Sequence, residues 1–127
     1  MNVELETKNG VTVAKIIGDL DHHTAKSIRS DIDREVKEHH SSLLILDFSG
    51  VTFMDSSGIG LVMGRYKLME EQDGKTIVAC PPAYIKKVLN LAGINKLTKI
   101  VDNYSALIKE KDAEREESEK IEAKTNK

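Results

Sequence analysis

The chain has 127 residues, a formal net charge of −2 and 31% charged side chains, with a pI of about 6.1. That length suits one domain with a core of its own, and no basic surplus exists to attract a polyanion, so nucleic acid is not expected as a direct partner. Apolar runs such as Leu43-Leu44-Ile45-Leu46 are too short to cross a bilayer, and the lone Cys80 excludes a disulfide framework or a cysteine-based zinc site within one chain.

The first twenty residues alternate charge and apolarity without the apolar stretch of a signal peptide, so no membrane association and a cytoplasmic location are expected. Val3 and Leu5 alternate with Glu4 and Glu6; Val11, Val13 and Ile16 follow after Asn9-Gly10, a dipeptide suited to a tight hairpin turn. Gly18 is expected to end the second strand. Ala25, Ile28, Ile32 and Val36 form one apolar stripe, predicting a helix from Thr24 to about His39, capped by Thr24 or Asp21. Leu43 to Phe48 is continuously apolar, as in a strand buried on both faces, and Ser49-Gly50 is expected to break it.

A second helix is predicted from Asp55-Ser56-Ser57-Gly58 to about Gln72, and Asp73-Gly74 turns the chain into a strand over Thr76 to Cys80. Cys80 reads as a small core residue. Pro81-Pro82 opens a third helix carrying Ile85, Val88, Leu89 and Ala92, with Gly93 as its C-terminal cap. Ile100-Val101 is a short last strand, and Asp102-Asn103 caps a final helix with Tyr104, Leu107 and Ile108. Residues 109–127 are mostly Lys, Glu, Asp and Arg, so they read as a helical extension or a disordered tail. The expected organisation is an α/β domain over 1–108 followed by that tail.

The segment most able to carry chemistry is Asp55-Ser56-Ser57-Gly58, where a buried strand hands over to a helix. Asp55 or Ser56 serves as a helix cap there. A phosphate on a serine at this point would meet helix N–H groups and the positive end of the dipole, and would repel Asp55. Gly58, Gly60 and Gly64 fit neither a dinucleotide loop nor a P-loop and are expected to let the helix pack closely. A hydrolase elbow would read G-x-S-x-G, which is absent. Asp21-His22-His23 has neither triad nor metal-ligand spacing, so no metal and no cofactor are expected. His39-His40 complements a helix end, and Lys86-Lys87 reads as solvated.

Three stretches together resemble the STAS domain of bacterial anti-sigma factor antagonists, especially the sporulation branch. They are Gly18-Asp19-Leu20-Asp21-His22-His23-Thr24-Ala25, the run from Phe53 through Asp55-Ser56-Ser57-Gly58 to Gly64-Arg65-Tyr66-Lys67, and Leu89-Asn90-Leu91-Ala92-Gly93-Ile94. The resemblance covers residues 1 to about 108. It implies a STAS fold: a central mixed sheet with an N-terminal β-hairpin and about four helices. It implies a regulatory protein rather than an enzyme. In this reading the unphosphorylated chain binds an anti-sigma factor that is also a serine kinase, freeing a sigma factor. Phosphorylation of Ser56 blocks binding, and a serine phosphatase restores it. Asp21, His22, Asp55, Ser57, Gly58, Ile59 and Arg65 are the implied partner-binding residues. For Ile59 the alternative is core packing, and for Arg65 an exposed charge of little effect. The alternative function is a STAS scaffold subunit of a larger signalling assembly. Asp19 stands where the family commonly has Glu, and the charged tail lies outside its pattern.

Overall fold

Asn9 and Gly10 both take positive φ, 53° and 79°, which gives the two-residue turn the twist a hairpin needs. The turn joins β1 (Val3–Lys8) to β2 (Val11–Leu20), antiparallel, with Lys8 opposite Val11. There follow α1 (His22–Glu38), β3 (Leu43–Met54), α2 (Ser56–Glu71), β4 (Lys75–Ala79), α3 (Ala83–Leu91), α4 (Ile94–Leu97), β5 (Lys99–Val101) and α5 (Ser105–Thr125). This computed structural model describes residues 2–125, with side chains through Ile121. Met1 and the last two residues of the 109–127 segment lie outside the described residues.

The sheet order is β1-β2-β3-β4-β5, and every pair after the hairpin is parallel. The extra helix relative to the sequence reading is α4. Its four residues are too few to write an apolar stripe. It starts directly after Gly93, whose φ of 82° turns the chain out of α3.

Gly18 and Ser49-Gly50 do not end their strands. Both strands run on, to Leu20 and Met54, and the β2–β3 register shifts between Lys15 and Ile17 and again between Gly18 and Asp19. These are bulges, which bend a strand pair without ending it. Gly18 supplies a φ of 88°, and a Cβ at Gly50 would stand 2.9 Å from the Ile16 carbonyl oxygen. Because β4 pairs only with Leu43 to Asp47, the later part of β3 projects with β2 past the end of β4. That projection carries the starts of α1 and α2.

Two apolar layers hold the sheet. The larger packs Ile16, Leu20, Leu44, Leu46 and Phe48 against Ile28, Ile32 and Val36 of α1, Leu61, Val62 and Met69 of α2, and Ile85, Leu89 and Ile94. The smaller lies on the other face, where Val11, Leu43, Ile45, Ile77 and Ala79 meet Tyr104, Leu107 and Ile108. Cys80 joins this second layer at its edge, half-buried, with φ of 56°. The Tyr104 hydroxyl donates to Asp47 Oδ2 at 2.7 Å, and Asp47 is 4% exposed. Asn9 donates to Asp112 at 2.7 Å one helical turn beyond Ile108, so the first turns of α5 are fastened to the hairpin side of the sheet.

Burial, reinforced by Asp47, pushes the Tyr104 hydroxyl up to about 12. The neutral phenol is the form the fold favours, so its contribution is complete below pH 10 and is lost as pH rises toward 12. Tyr104→Phe leaves a buried carboxylate short of a donor and is expected to cost about 1–3 kcal/mol. Urea unfolding at pH 7 measures the cost. Ultraviolet titration of the phenols should lose its most alkaline step in the same variant.

Candidate functional site

Two helix N-termini meet at the end of the β2–β3 projection. Leu20 and Met54 are register partners, and the Asp55 N–H donates to the Leu20 carbonyl at 3.3 Å. One residue further along each strand, an aspartate caps a helix. Asp21 Oδ1 accepts from the N–H groups of His23 and Thr24, at 2.9 and 3.0 Å, and the Thr24 hydroxyl accepts from the Asp21 N–H. This reciprocal pair is a capping box with threonine in the return position. Asp55 Oδ1 accepts from the Ser57 N–H at 2.8 Å, and the Gly58 N–H donates to the Asp55 carbonyl at 3.0 Å. The helix predicted from Thr24 thus begins two residues earlier, at His22, because Asp21 is the cap. Hydrogen bonds from the Thr24 and His23 N–H groups, opposed by slight desolvation, hold the Asp21 carboxyl below its ordinary value.

Ser56 is the first residue of α2 and is exposed; among the described residues its hydroxyl makes no hydrogen bond. Ser57 is half-buried. Gly58 is buried because it rests on both strand ends: a Cβ there would overlap Met54 Cγ and Sδ and stand 3.1 Å from Leu20 Cδ2. Ile59 is only partly buried and packs against the larger apolar layer. His22 and His23 are exposed, with rings edge to face 6.2 Å apart, and neither is hydrogen-bonded to Ser56 or Ser57 among the described residues.

Arg65 departs furthest from an exposed helix charge. Its side chain is 7% exposed, and Nε lies 2.8 Å from Asp33 Oδ1 on α1. The contact is one of charge: the N–H does not point along that line, and among the described residues neither Nε, Nη1 nor Asp33 Oδ1 has a hydrogen-bond partner. Burial pulls the guanidinium below its ordinary value; Asp33 opposes this, and the nearby Arg29 adds to it.

Arg65 also lines a groove of about 370 Å³ between α1 and α2, together with His22, Lys26, Arg29, Ser57 and Gly64. The sequence reading brought His22, Ser57 and Arg65 to this place and missed Lys26, Arg29 and Asp33. The signal for these lies across two helices, at spacings no single stripe reveals. The glycines need a correction as well. Gly58 alone packs closely, whereas a Cβ at Gly60 or Gly64 would meet nothing within 4 Å. Among the described residues, no group of three or more His, Cys, Asp or Glu stands ready for a metal ion, and no helix is long and apolar enough to cross a membrane.

The arrangement offers an accessible hydroxyl beside two helix N-termini on one exposed rim. It suits recognition, and a charge added at Ser56 would change that rim without touching the core. Comparison with known proteins places the geometry in a family: the STAS domain matches residues 2–107. The chain belongs to the STAS family. This STAS domain is 32% identical over 103 residues, 81% of this chain and 88% of the relative, to the anti-sigma F factor antagonist of Paenibacillus polymyxa. It is similar to the solved structure of the anti-sigma factor antagonist SpoIIAA in its unphosphorylated form. There the TM-score is 0.72 and the identity 31%, with 83% of this chain and 92% of the other covered. It is also similar to the Bacillus cell fate determinant SpoIIAA in the phosphorylated form, with a TM-score of 0.67, 30% identity and coverage of 84% and 97%.

Proposed function

We propose that this protein is an anti-sigma factor antagonist whose binding is switched by phosphorylation of Ser56. The observation that carries the reading is the placement of Ser56, an exposed and unengaged hydroxyl at the first position of α2. Similarity to antagonists of the anti-sigma F factor, and to one solved in both phosphorylated and unphosphorylated forms, supports it.

The unmodified rim binds an anti-sigma factor that is also a serine kinase, and a sigma factor is released. The partner brings the nucleotide and the phosphoryl-transfer groups; the STAS domain is substrate and switch, not catalyst. The Ser56 hydroxyl oxygen attacks the γ-phosphorus of ATP, the bond to the β-phosphate oxygen breaks, and the hydroxyl proton passes to a base of the kinase. ADP leaves and phosphoserine remains. A serine phosphatase returns the hydroxyl. Asp21, Asp55 and Gly58 hold the rim in shape, while His22, Ser57 and Ile59 flank the acceptor. Arg65 reaches the partner only through the groove it lines. We place the protein in the cytoplasm and its regulation in sporulation.

Intact-mass spectrometry after incubation with the anti-sigma kinase of the same genome and ATP tests the reading. One added phosphate in the wild type and none in Ser56→Ala is expected. Phosphate retained in full on Ser56→Ala would move the acceptor elsewhere, and no phosphate from a kinase active on a control substrate would remove the switch.

A further inference from the structure

The groove between α1 and α2 is built in a way that packing within the chain does not explain. Gly60 and Gly64 stand one turn apart on its α2 wall, and each weakens the helix by about 1 kcal/mol relative to alanine. Neither is needed for space inside the domain, since a Cβ on either would enter open space. What the two glycines do is keep the groove shallow-walled and open to close approach. On the other wall, His22, Lys26 and Arg29 follow one another along α1 at helical spacing. Between the walls lies Arg65, more than nine-tenths buried, with Nη1 donating to nothing.

The charge is not balanced. Lys26, Arg29 and Arg65 line the groove, and one carboxylate, Asp33, stands against Arg65. Asp21, one residue before His22, caps α1 and keeps its negative charge while doing so. With Asp33 and Asp21 both counted, a surplus of one positive charge lies along the groove, in a chain whose net charge is −2. Guanidinium and ammonium groups crowded without enough anions are a recognition surface for one.

We propose that this groove receives a carboxylate side chain from an acidic segment of the protein partner that docks over Ser56. The inference rests on the reading that a protein docks there, and it names the chemistry the partner must bring. The groove is continuous with the rim through Ser57 and His22, so one partner spans both. The glycines admit the backbone of the segment close to α2. Its carboxylate is held by the exposed Lys26 and Arg29 from the α1 side, above the buried Arg65 charge.

The test needs no kinase. The full chain, labelled with ¹⁵N, is titrated with N-acetyl hexaglutamate amide and separately with inorganic phosphate. The peptide should shift amides of residues 22–29 and 57–65. Gly60→Ala/Gly64→Ala should weaken its binding at least tenfold while raising the melting temperature, a combination that a purely structural role for the glycines does not give. Lys26→Ala/Arg29→Ala, at two exposed positions, should weaken binding as much and serves as the second variant. Absence of shifts with the peptide would overturn the proposal. So would equal shifts from phosphate at the same concentration, which would make this a small-anion site, or unaltered peptide binding in both variants. Because Ser56 phosphorylation is measured separately, a chain that is phosphorylated yet ignores the peptide sinks only the groove. A chain that takes the peptide but is never phosphorylated keeps the groove and loses the switch.

Discussion

Ser56→Ala should bind the anti-sigma kinase almost as well as the wild type, whereas the chain phosphorylated on Ser56 should bind it at least a hundredfold more weakly. The exposed hydroxyl has no hydrogen-bond partner among the described residues, so its removal changes surface energies by no more than about 0.5 kcal/mol, roughly twofold in affinity. Phosphate adds about 1.5 to 2 negative charges at the centre of the rim. Docking would bury it beside the Asp55 carboxylate, and an uncompensated buried charge costs about 3–5 kcal/mol, or between two and four decades. Ser56→Asp, with one charge on a shorter arm, should lie between. Stability should move the other way. A phosphate at the first position of α2 faces the positive helix end, a favourable interaction of about 0.3–1 kcal/mol. Calorimetric titration and thermal unfolding of the same samples separate the two effects. If the phosphorylated chain melted several degrees lower, loss of binding would reflect a damaged fold instead of a repelled partner.

The parts of this site that were legible in the sequence are local ones. An aspartate before a helix declares a cap through its own short side chain, so Asp55 and the serines after it could be placed without the fold. The hairpin was equally plain, because Asn9-Gly10 meets the conformational demand of the turn by itself. Gly18 and Ser49-Gly50 misled for a reason of the same kind: a glycine signals a break in regular backbone, but a bulge and a strand end look alike until the partner strand is present. Arg65 shows the wider limit. On its own helix it is one charged residue among several, and only α1, arriving with Asp33, Arg29 and Lys26, makes it a buried cation at the base of a groove. The docking of α5 is non-local as well. Tyr104 was placed on a final helix, yet its bond to Asp47 joins residues brought together only by the sheet.

Gly58 is where the core and the rim constrain each other most directly, and its effect should reverse sign with the residue beneath it. Met54, 6% exposed, lies under Gly58, and its N–H donates to the Tyr84 hydroxyl at 3.3 Å, which fixes the strand end in place. In the wild type, Gly58→Ala places a Cβ against Met54 Sδ at 2.5 Å. The methionine must then leave its packed rotamer or α2 must lift, and overpacking of this kind costs about 1–3 kcal/mol. The helix propensity gained by alanine, about 1 kcal/mol, offsets only part of that. Met54→Ala alone should cost about 2–5 kcal/mol by opening a cavity under both helix starts. In that background the new Cβ has room, so Gly58→Ala should now stabilise, by the propensity term and by partial refilling of the cavity. Urea unfolding of the two single variants and the double gives the coupling directly, expected at about 1–3 kcal/mol. Additivity within 0.5 kcal/mol would mean that Gly58 is required by backbone freedom or by the partner, and not by Met54. The coupling matters for function because Met54 and Leu20 each precede a capping aspartate. Whatever displaces them tilts Asp21, Asp55 and the serine that follows Asp55, so partner affinity should follow the same reversal of sign.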